Sequence, residues 1–142
     1  MTWQVLETRD GLVHVGSYGD ASQGGTDGYH GDTACSEELP VLCLRKEGLP
    51  PPSGITFDFY NGWTGGTARL TPPISGAALS SRAVADAVCE KAFGPGFRMG
   101  EHHDGGGGWR WWARGAMEPG PQKIWATVDD QRSSPWHNGA AR

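Results

Sequence analysis

The sequence has no apolar run of the roughly 20 residues that a membrane-spanning helix requires. Positive charge is also limited: 12 Lys and Arg stand against 16 Asp and Glu, so the formal net charge is -4 at pH 7. No basic run or stripe is present, and the attraction that drives most binding to nucleic acid or anionic membranes is therefore missing. We expect a soluble protein with no nucleic-acid partner and no membrane insertion.

Cysteine is scarce, with 3 residues in the chain. Cys35 and Cys43 are close enough in sequence to form a disulfide, which would leave Cys89 alone. Three reduced and largely buried thiols are an equal alternative. The first residues, MTWQVLETRDGLVHVG, contain no apolar segment of the kind that a signal peptide carries, so we expect none. The compartment stays open.

Glycine and tryptophan, by contrast, are abundant, at 23 and 7 of 142 residues. Glycine permits tight chain reversals, and tryptophan supplies a large apolar surface with one polar group. The length fits one domain, 1–142, with a core of its own. We expect the α+β class, with a mainly antiparallel sheet, one main helix and long glycine-rich loops.

Local patterns place the elements along the chain. An Asp10-Gly11 pair between alternating segments predicts a hairpin over 3–18. The polar segment 19–33 is expected to be a long loop. The proline run after a strand at 40–46 divides the domain into halves, 1–53 and 54–139. Further strands are expected at 54–60, with Ile55, Phe57 and Phe59 on one face, in FRMGEHH and WRWWARG, and at 123–129.

The predicted helix covers residues 81–93. Ser80 is expected to cap it, and Leu79 with Val84 has the spacing of a hydrophobic staple. A helical stripe should face the core, formed by Val84, Ala85, Val88, Cys89 and Ala92. The Gly-Pro pair at 94–95 is typical of a helix end.

The stretch EHHDGGGGWRWWARG, 101–115, concentrates the reactive side chains. His and carboxylate groups are good ligands for transition metals. On an extended strand, however, Glu101 and His103 would oppose His102 and Asp104, so a metal could recruit only alternate members. The structural alternative is that these groups hydrogen-bond backbone freed by the glycines. No helix start or Lys follows, which excludes a phosphate loop; the glycines are expected to let backbone segments or an indole approach closely.

Tryptophans give the best argument for binding. On a strand, Trp109 and Trp111 would share one face, and Trp112 the other. Exposed indoles beside polar groups hold sugar rings in many proteins, although filling a small core explains indoles equally well. Oxygen ligands in VDDQRSSPWHNG could bind calcium, or could stabilise a turn. The ligand-binding candidates are Trp109, Trp111, Trp112, His102, His103, Asp104, Trp125, Asp130, Gln131, Trp136 and Asn138.

Catalytic signatures are lacking. There is no GxSxG motif, and the paired carboxylates are sequence neighbours, which seldom face each other across a substrate. We therefore expect a protein that is not an enzyme and needs no cofactor.

The segment NGWTGGTARLTPPISGAALSSRAVADAVCEKAFGPGFRM resembles the first-helix region of C-type-lectin-like domains, in which an Ala-rich helix carries a Cys and precedes a strand. Glu118-Pro119 and Trp136-His137-Asn138 are similar to that fold's long-loop region. The signatures FYNGWTGG and HDGGGGW also resemble uncharacterised bacterial secreted or surface domains. The pattern departs from the lectins in three respects: Cys89 lacks the later partner, the sugar motifs differ, and no closing strand follows.

Three functional hypotheses follow. The first is a non-catalytic recognition module, carbohydrate-binding or adhesive, with a glycan or protein surface as its partner. The second is a structural subunit of a filament, virion or surface layer, which implies a homo-oligomer. The third is a metal-dependent hydrolase at His102 and His103. The resemblance favours an extracellular or particle-associated location.

Overall fold

The computed structural model describes residues 1–137 of the chain. Within that range it contains one α-helix and nine β-strands, two of them in a separate small sheet. The helix, α1, is Arg82–Phe93, and short 3-10 helices cover Ala21–Gln23 and Gly76–Ala78. The strands are β1 Thr2–Arg9, β2 Leu12–Gly16, β3 Glu38–Leu39, β4 Leu42–Lys46, β5 Gly62–Leu70, β6 Ile74–Ser75, β7 Arg98–Met99, β8 Arg110–Arg114 and β9 Ile124–Trp125.

The main sheet has the order β7-β4-β5-β8-β2-β1-β9 and is antiparallel except between β5 and β8. It curls until its edges meet. The Trp125 N–H donates to the Pro40 carbonyl at 2.8 Å, and the Thr127 N–H donates to the Gly100 carbonyl at 3.1 Å. The predicted α+β class with an antiparallel-rich sheet is confirmed. Strands from both predicted halves are interleaved within this one sheet.

The predicted hairpin is confirmed as β1 and β2, which pair from Gln4 with Gly16 to Arg9 with Leu12. Asp10 and Gly11 both have positive φ, at 51° and 78°. Two central residues of positive φ form the mirror-image turn whose twist matches that of the flanking strands. The Asp-Gly pair thus sets the register of the hairpin.

The strand predicted at 54–60 is wrong. Asp58 and Asn61 instead exchange backbone hydrogen bonds of 3.1 and 3.3 Å across a tight turn, and the Asp58 carboxylate accepts from the Tyr60 N–H at 2.8 Å. This turn leaves Phe59 61% exposed, away from the face expected for it. The strand lies further on, in the glycine-rich β5, where a side chain on Gly66 would meet the Arg45 carbonyl at 2.2 Å.

The predicted helix is confirmed, with its cap one residue later than expected. Ser81 rather than Ser80 is the N-cap, and its hydroxyl accepts from the Val84 N–H at 3.1 Å. That shift moves Val84 out of the staple position and leaves it 38% exposed. Ala92 is exposed as well, whereas Ala85 and Cys89 are buried as expected. None of the helices in residues 1–137 has the length and apolar character needed to cross a bilayer.

The disulfide joins Cys43 to Cys89, across 46 positions of sequence. The expected Cys35–Cys43 disulfide, which would have left Cys89 unpaired, is therefore wrong, and so is the alternative of three reduced thiols. Alternation along β4 explains the pairing: Leu42 and Leu44 enter the core inside the curl, while Cys43 faces the side covered by α1. Cys35 is a free, buried thiol that donates to the Pro135 carbonyl at 3.4 Å.

Two apolar clusters stabilise the fold. The first fills the curl and is built mainly from Trp3, Val13, Val15, Leu42, Leu44, Trp111 and Ile124. The second lies between the sheet and the helix and includes Val41, Leu79, Ala85, Phe97, Met99 and Trp125. The disulfide belongs to the second cluster, so it anchors the helix to the sheet.

Removing the disulfide should lower the free energy of unfolding. Closing a loop of this length restricts the unfolded chain, an effect of about 2–4 kcal/mol. We expect the double substitution C43A/C89A to shift the denaturant midpoint accordingly, and a control substitution, C35A, to shift it much less. Denatured, unreduced protein should react with one equivalent of iodoacetamide. Three reactive thiols, or an unchanged midpoint in the double variant, would contradict the pairing.

Candidate functional site

The segment EHHD forms a turn, and the extended strand expected there is wrong beyond Met99. The Asp104 N–H donates to the Glu101 carbonyl at 3.0 Å. In return the Asp104 carboxylate accepts from the Glu101 N–H at 2.7 Å, and the Glu101 carboxylate accepts from the His103 N–H at 2.7 Å. The structural alternative, side chains that bind the local backbone, is confirmed for these carboxylates.

Asp104 is committed to ion pairs. Its carboxylate lies 2.5 Å from the Arg98 guanidinium and 3.6 Å from the Lys46 ammonium, and the side chain is buried. The bond to Asp104 raises the pKa of Arg98, against the opposing effect of burial. Asp104 therefore stabilises the turn and does not line the cavity described below.

The glycines that follow bring the turn against the loop at Phe59. The Gly108 N–H donates to the Phe59 carbonyl at 2.9 Å. A side chain on Gly107 would stand 1.9 Å from that same carbonyl oxygen, and one on Gly108 would stand 2.7 Å from His102 Nε2. Because no Cβ fits at these distances, the close backbone approach expected from the glycine run is confirmed.

Trp109 occupies a strained backbone position. Its φ is 78°, in the left-handed region that costs a residue with a side chain about 1–2 kcal/mol. Hydrogen bonds hold it on both sides: its N–H donates to His102 Nε2 at 3.1 Å, and its carbonyl accepts from the Ser17 N–H at 2.9 Å. Such strain persists only where the surroundings fix the backbone, and it is concentrated at functional sites.

The tryptophans do not share one location. Trp111 and Trp112 take opposite faces of β8, as predicted, but Trp109 precedes the strand and does not share the face of Trp111. The Trp111 indole is fully buried and donates to the Glu101 carbonyl at 3.0 Å. Trp112 stacks on His14 at 4.5 Å, and Trp125 is buried near the helix. Core filling is thus confirmed for Trp111 and Trp125.

A cavity of about 180 Å3 opens beside Trp109. It is smaller than the roughly 300–1,000 Å3 of drug-sized sites and matches a single sugar ring or side chain. The predicted residues that line it are His102, His103, Trp109, Asp130 and Gln131. The other predicted residues lie elsewhere: Asp104, Trp111, Trp112 and Trp125 as given above, and Trp136 half-buried against the helix-side cluster. Asn138 lies outside the described residues.

Sequence reasoning missed two aromatic walls of the cavity. Tyr29 and Phe59 are 53% and 61% exposed, and Tyr29 lies edge-on to Trp109 with ring centroids 6.0 Å apart. Gly28 contacts the Trp109 indole, because a Cβ there would lie 3.5 Å from the ring. Tyr29 belongs to the glycine-rich loop 19–33, and its position in a long loop was the available signal. For Phe59 the signal was Asp58, a residue type whose side chain favours turns by accepting from the backbone N–H two residues on, as it does from Tyr60.

The pKa values of two neighbouring histidines, His102 and His103, are shifted in opposite directions. Burial lowers the pKa of His102, and the charge of His103 adds to this effect. Since His102 Nε2 accepts a hydrogen bond, its proton lies on Nδ1, which has no partner within the described residues. Burial also acts to lower the pKa of His103, but the hydrogen bond and charge of Glu101, with the charges of Asp130 and Asp129, raise it overall. His103 Nδ1 is 2.9 Å from Glu101 and its Nε2 is 3.8 Å from Asp130.

No set of metal ligands is formed by these groups. Residues 1–137 contain no group of three or more His, Cys, Asp or Glu side chains that could hold a metal ion. Asp129, from the segment considered for calcium, instead pairs with Arg82 at 2.5 Å. The geometry gives no support to a metal at His102 and His103.

His102, His103 and His14 should titrate with three different pKa values. We expect His103 to titrate above its usual 6.5, His102 below it, and His14, desolvated by burial, at about 4. A folded pKa raised above the unfolded value means that His103 adds stability at low pH, which is lost as the pH rises through its folded pKa. Nitrogen-15 NMR of the imidazoles gives the midpoints, and D130N should lower that of His103. Equal midpoints for His102 and His103 would contradict this arrangement.

Comparison with known proteins adds no relative: no family model, no curated protein and no solved structure matches the chain. Function is therefore argued from the chemistry of the cavity.

Proposed function

We propose that the protein is a non-catalytic recognition module that binds a carbohydrate unit in the cavity beside Trp109. The observation that carries this proposal is the enclosure of one small cavity by three aromatic side chains, Tyr29, Phe59 and Trp109. Two of them are more than half exposed, although burial would be favourable for rings of this size. Exposed aromatic side chains around a concavity are typical of binding sites.

The polar groups of the cavity suit a sugar. Rings can pack against the apolar CH face of a pyranose, while hydroxyl groups need donors and acceptors at the edge. Asp130 supplies an acceptor, Gln131 supplies both kinds of group, and His103 presents Nε2. The backbone restraints on Trp109 support this proposal, because a site that is already ordered loses less entropy on binding.

The same lining lacks the commonest partners of a catalytic histidine. Glu101 orients His103 as a carboxylate orients a general base, with Nδ1 bonded and Nε2 toward the cavity. Yet the described residues that line the cavity include no Ser, Thr, Cys or Lys that His103 could activate. Binding is the function that these side chains support best.

The C-type-lectin-like character of the fold is part of this proposal. It is supported by a helix that carries Cys89 and packs on an antiparallel-rich sheet, with that cysteine in a disulfide. The partner, Cys43, precedes the helix, whereas the lectin pattern has a later one. Disulfides persist in oxidising surroundings, so we also propose an extracellular or surface location.

Loss of the Trp109 indole should abolish most of the binding. We expect W109A to weaken binding of the glycans selected on an array by about 10–100-fold, or about 1.4–2.8 kcal/mol. W63A is the matched control, because Trp63 is also half-buried but binds the Leu49 carbonyl away from the cavity. Fluorescence titration measures both, after circular dichroism shows that each variant is folded. Equal losses in the two variants, or no glycan bound by the parent, would overturn the proposal.

Self-assembly is a second candidate, favoured by one observation. Phe59 and Tyr60 are 61% and 56% exposed and contact each other with ring centroids 4.9 Å apart. Aromatic side chains of this kind are enriched at protein interfaces.

Light scattering at increasing protein concentration tests this candidate. We expect concentration-dependent oligomers, which F59S/Y60S should dissociate because it removes the exposed rings. The control V84S, which replaces the exposed valine of α1, should leave them intact. A strictly monomeric parent at high concentration would rule out self-assembly.

A further inference from the structure

The charged groups at the cavity leave one carboxylate without a Lys or Arg partner. Among the described residues that line it, Asp130 is the only carboxylate, His102 and His103 are the only side chains that can become cationic, and neither Lys nor Arg is present. The Asp130 side chain is 64% exposed, and its only ion-pair contact in residues 1–137 is His103 at 3.8 Å. The cavity therefore has a negative charge at its edge whenever His103 is neutral.

Nearby carboxylates do not share that property. Asp129 pairs with Arg82 at 2.5 Å, and Asp104 pairs with Arg98 at 2.5 Å. Glu101 is buried and accepts hydrogen bonds from His103 and from the Asp129 N–H. Arginines thus pair with Asp129 and Asp104, and Glu101 is bonded within the turn, whereas Asp130 is left to face solvent and the cavity.

Aromatic rings add a second attraction for positive charge. The face of an indole, phenol or phenyl ring is electronegative, and alkylammonium groups bind in cavities enclosed by several such rings. Tyr29, Phe59 and Trp109 line this cavity, whereas no Lys or Arg of the described residues does. Its volume of about 180 Å3 matches one compact unit, such as a single sugar ring that carries its own amine.

We propose that the carbohydrate unit bound here carries a compact ammonium group, which lies against the rings of Tyr29, Phe59 and Trp109 and next to Asp130. This inference rests on the proposed carbohydrate-binding function and specifies its ligand class. The ammonium can be the free amine of an amino sugar or a quaternary ammonium substituent on a glycan. A neutral unit would offer Asp130 a hydroxyl donor but no opposite charge, and an acidic unit would be repelled by it.

Three tetrasaccharides test this directly, since they share a β-1,4-linked glucose backbone and differ only at carbon 2. They are the tetramers of glucosamine, N-acetylglucosamine and glucose, which carry an amine, an uncharged amide and a hydroxyl group. The binding measurements use a pH at which titration of the free glucosamine tetramer shows its amines to be protonated. Choline is a fourth probe, with a permanent quaternary charge and no sugar ring. Calorimetry of the full chain at one pH measures all four.

The glucosamine tetramer should bind about 10-fold more tightly than the glucose tetramer, by ion pairing and cation–π contact. D130N should reduce the affinity for the glucosamine tetramer about 3–5-fold more than the affinity for the glucose tetramer, because only the amine loses an exposed ion pair, which contributes modestly. The control E118Q removes an exposed carboxylate outside the cavity and should change neither affinity. If choline also binds and its binding depends on Asp130, the natural ammonium is a quaternary group on a glycan. If the glucosamine tetramer binds and choline does not, the ammonium is the amine of an amino sugar.

Other outcomes overturn the inference or the function beneath it. If the uncharged tetramers bind as tightly as the glucosamine tetramer or more tightly, and W109A weakens that binding, the protein binds carbohydrate at this cavity but does not select an ammonium group. If choline binds and none of the tetramers does, the cavity binds a cation and the proposed carbohydrate-binding function is wrong. Binding of none of the four probes, or glucosamine binding indifferent to D130N, would refute the inference.

Discussion

The site depends on one constrained backbone position, Trp109. Its left-handed conformation reverses the chain between the glycine run and β8, so that the indole reaches the cavity while Trp111, two residues later, enters the core. Two contacts maintain that conformation: the hydrogen bond from the Trp109 N–H to His102 and the bond from Ser17 to the Trp109 carbonyl. His102 can accept the first of these only as a neutral imidazole, which its burial favours. The strained backbone at Trp109 therefore allows the Trp111 ring to be buried in the core while the Trp109 ring borders the cavity.

Local signals predicted the parts of the fold that short-range chemistry determines. The Asp10-Gly11 turn set the hairpin, and the cap and apolar spacing set the helix to within one residue. Long-range pairing was not accessible in the same way. The Cys43–Cys89 bond depends on which face of β4 the helix covers, and sequence proximity favoured Cys35 instead. The strand β5 was missed because its glycines suit close backbone approach rather than the side-chain alternation by which strands are recognised.

The cavity was predictable only in part, for related reasons. The stretch from His102 to Trp109 was recognisable by its composition, but its strand alternation was wrong because side chains of the turn bind its own backbone. Tyr29 and Phe59 come from loops distant in sequence, and only the folded chain brings them together. Among the carboxylates, composition could not distinguish Asp104, which is buried in ion pairs, from Asp130, which is not. That distinction separates a residue that stabilises the turn from one available to a ligand.

The most direct test of the account is to follow the indole N–H resonances of the protein during titration with the glucosamine tetramer. Trp111 and Trp125 donate to the carbonyls of Glu101 and Ile74 inside the protein, so their signals should not move. The signal of Trp109 should shift progressively and saturate, since its ring borders the cavity. A Trp109 signal that stays fixed while the ligand binds, or while other indoles shift, would contradict the claim that this cavity is the binding site.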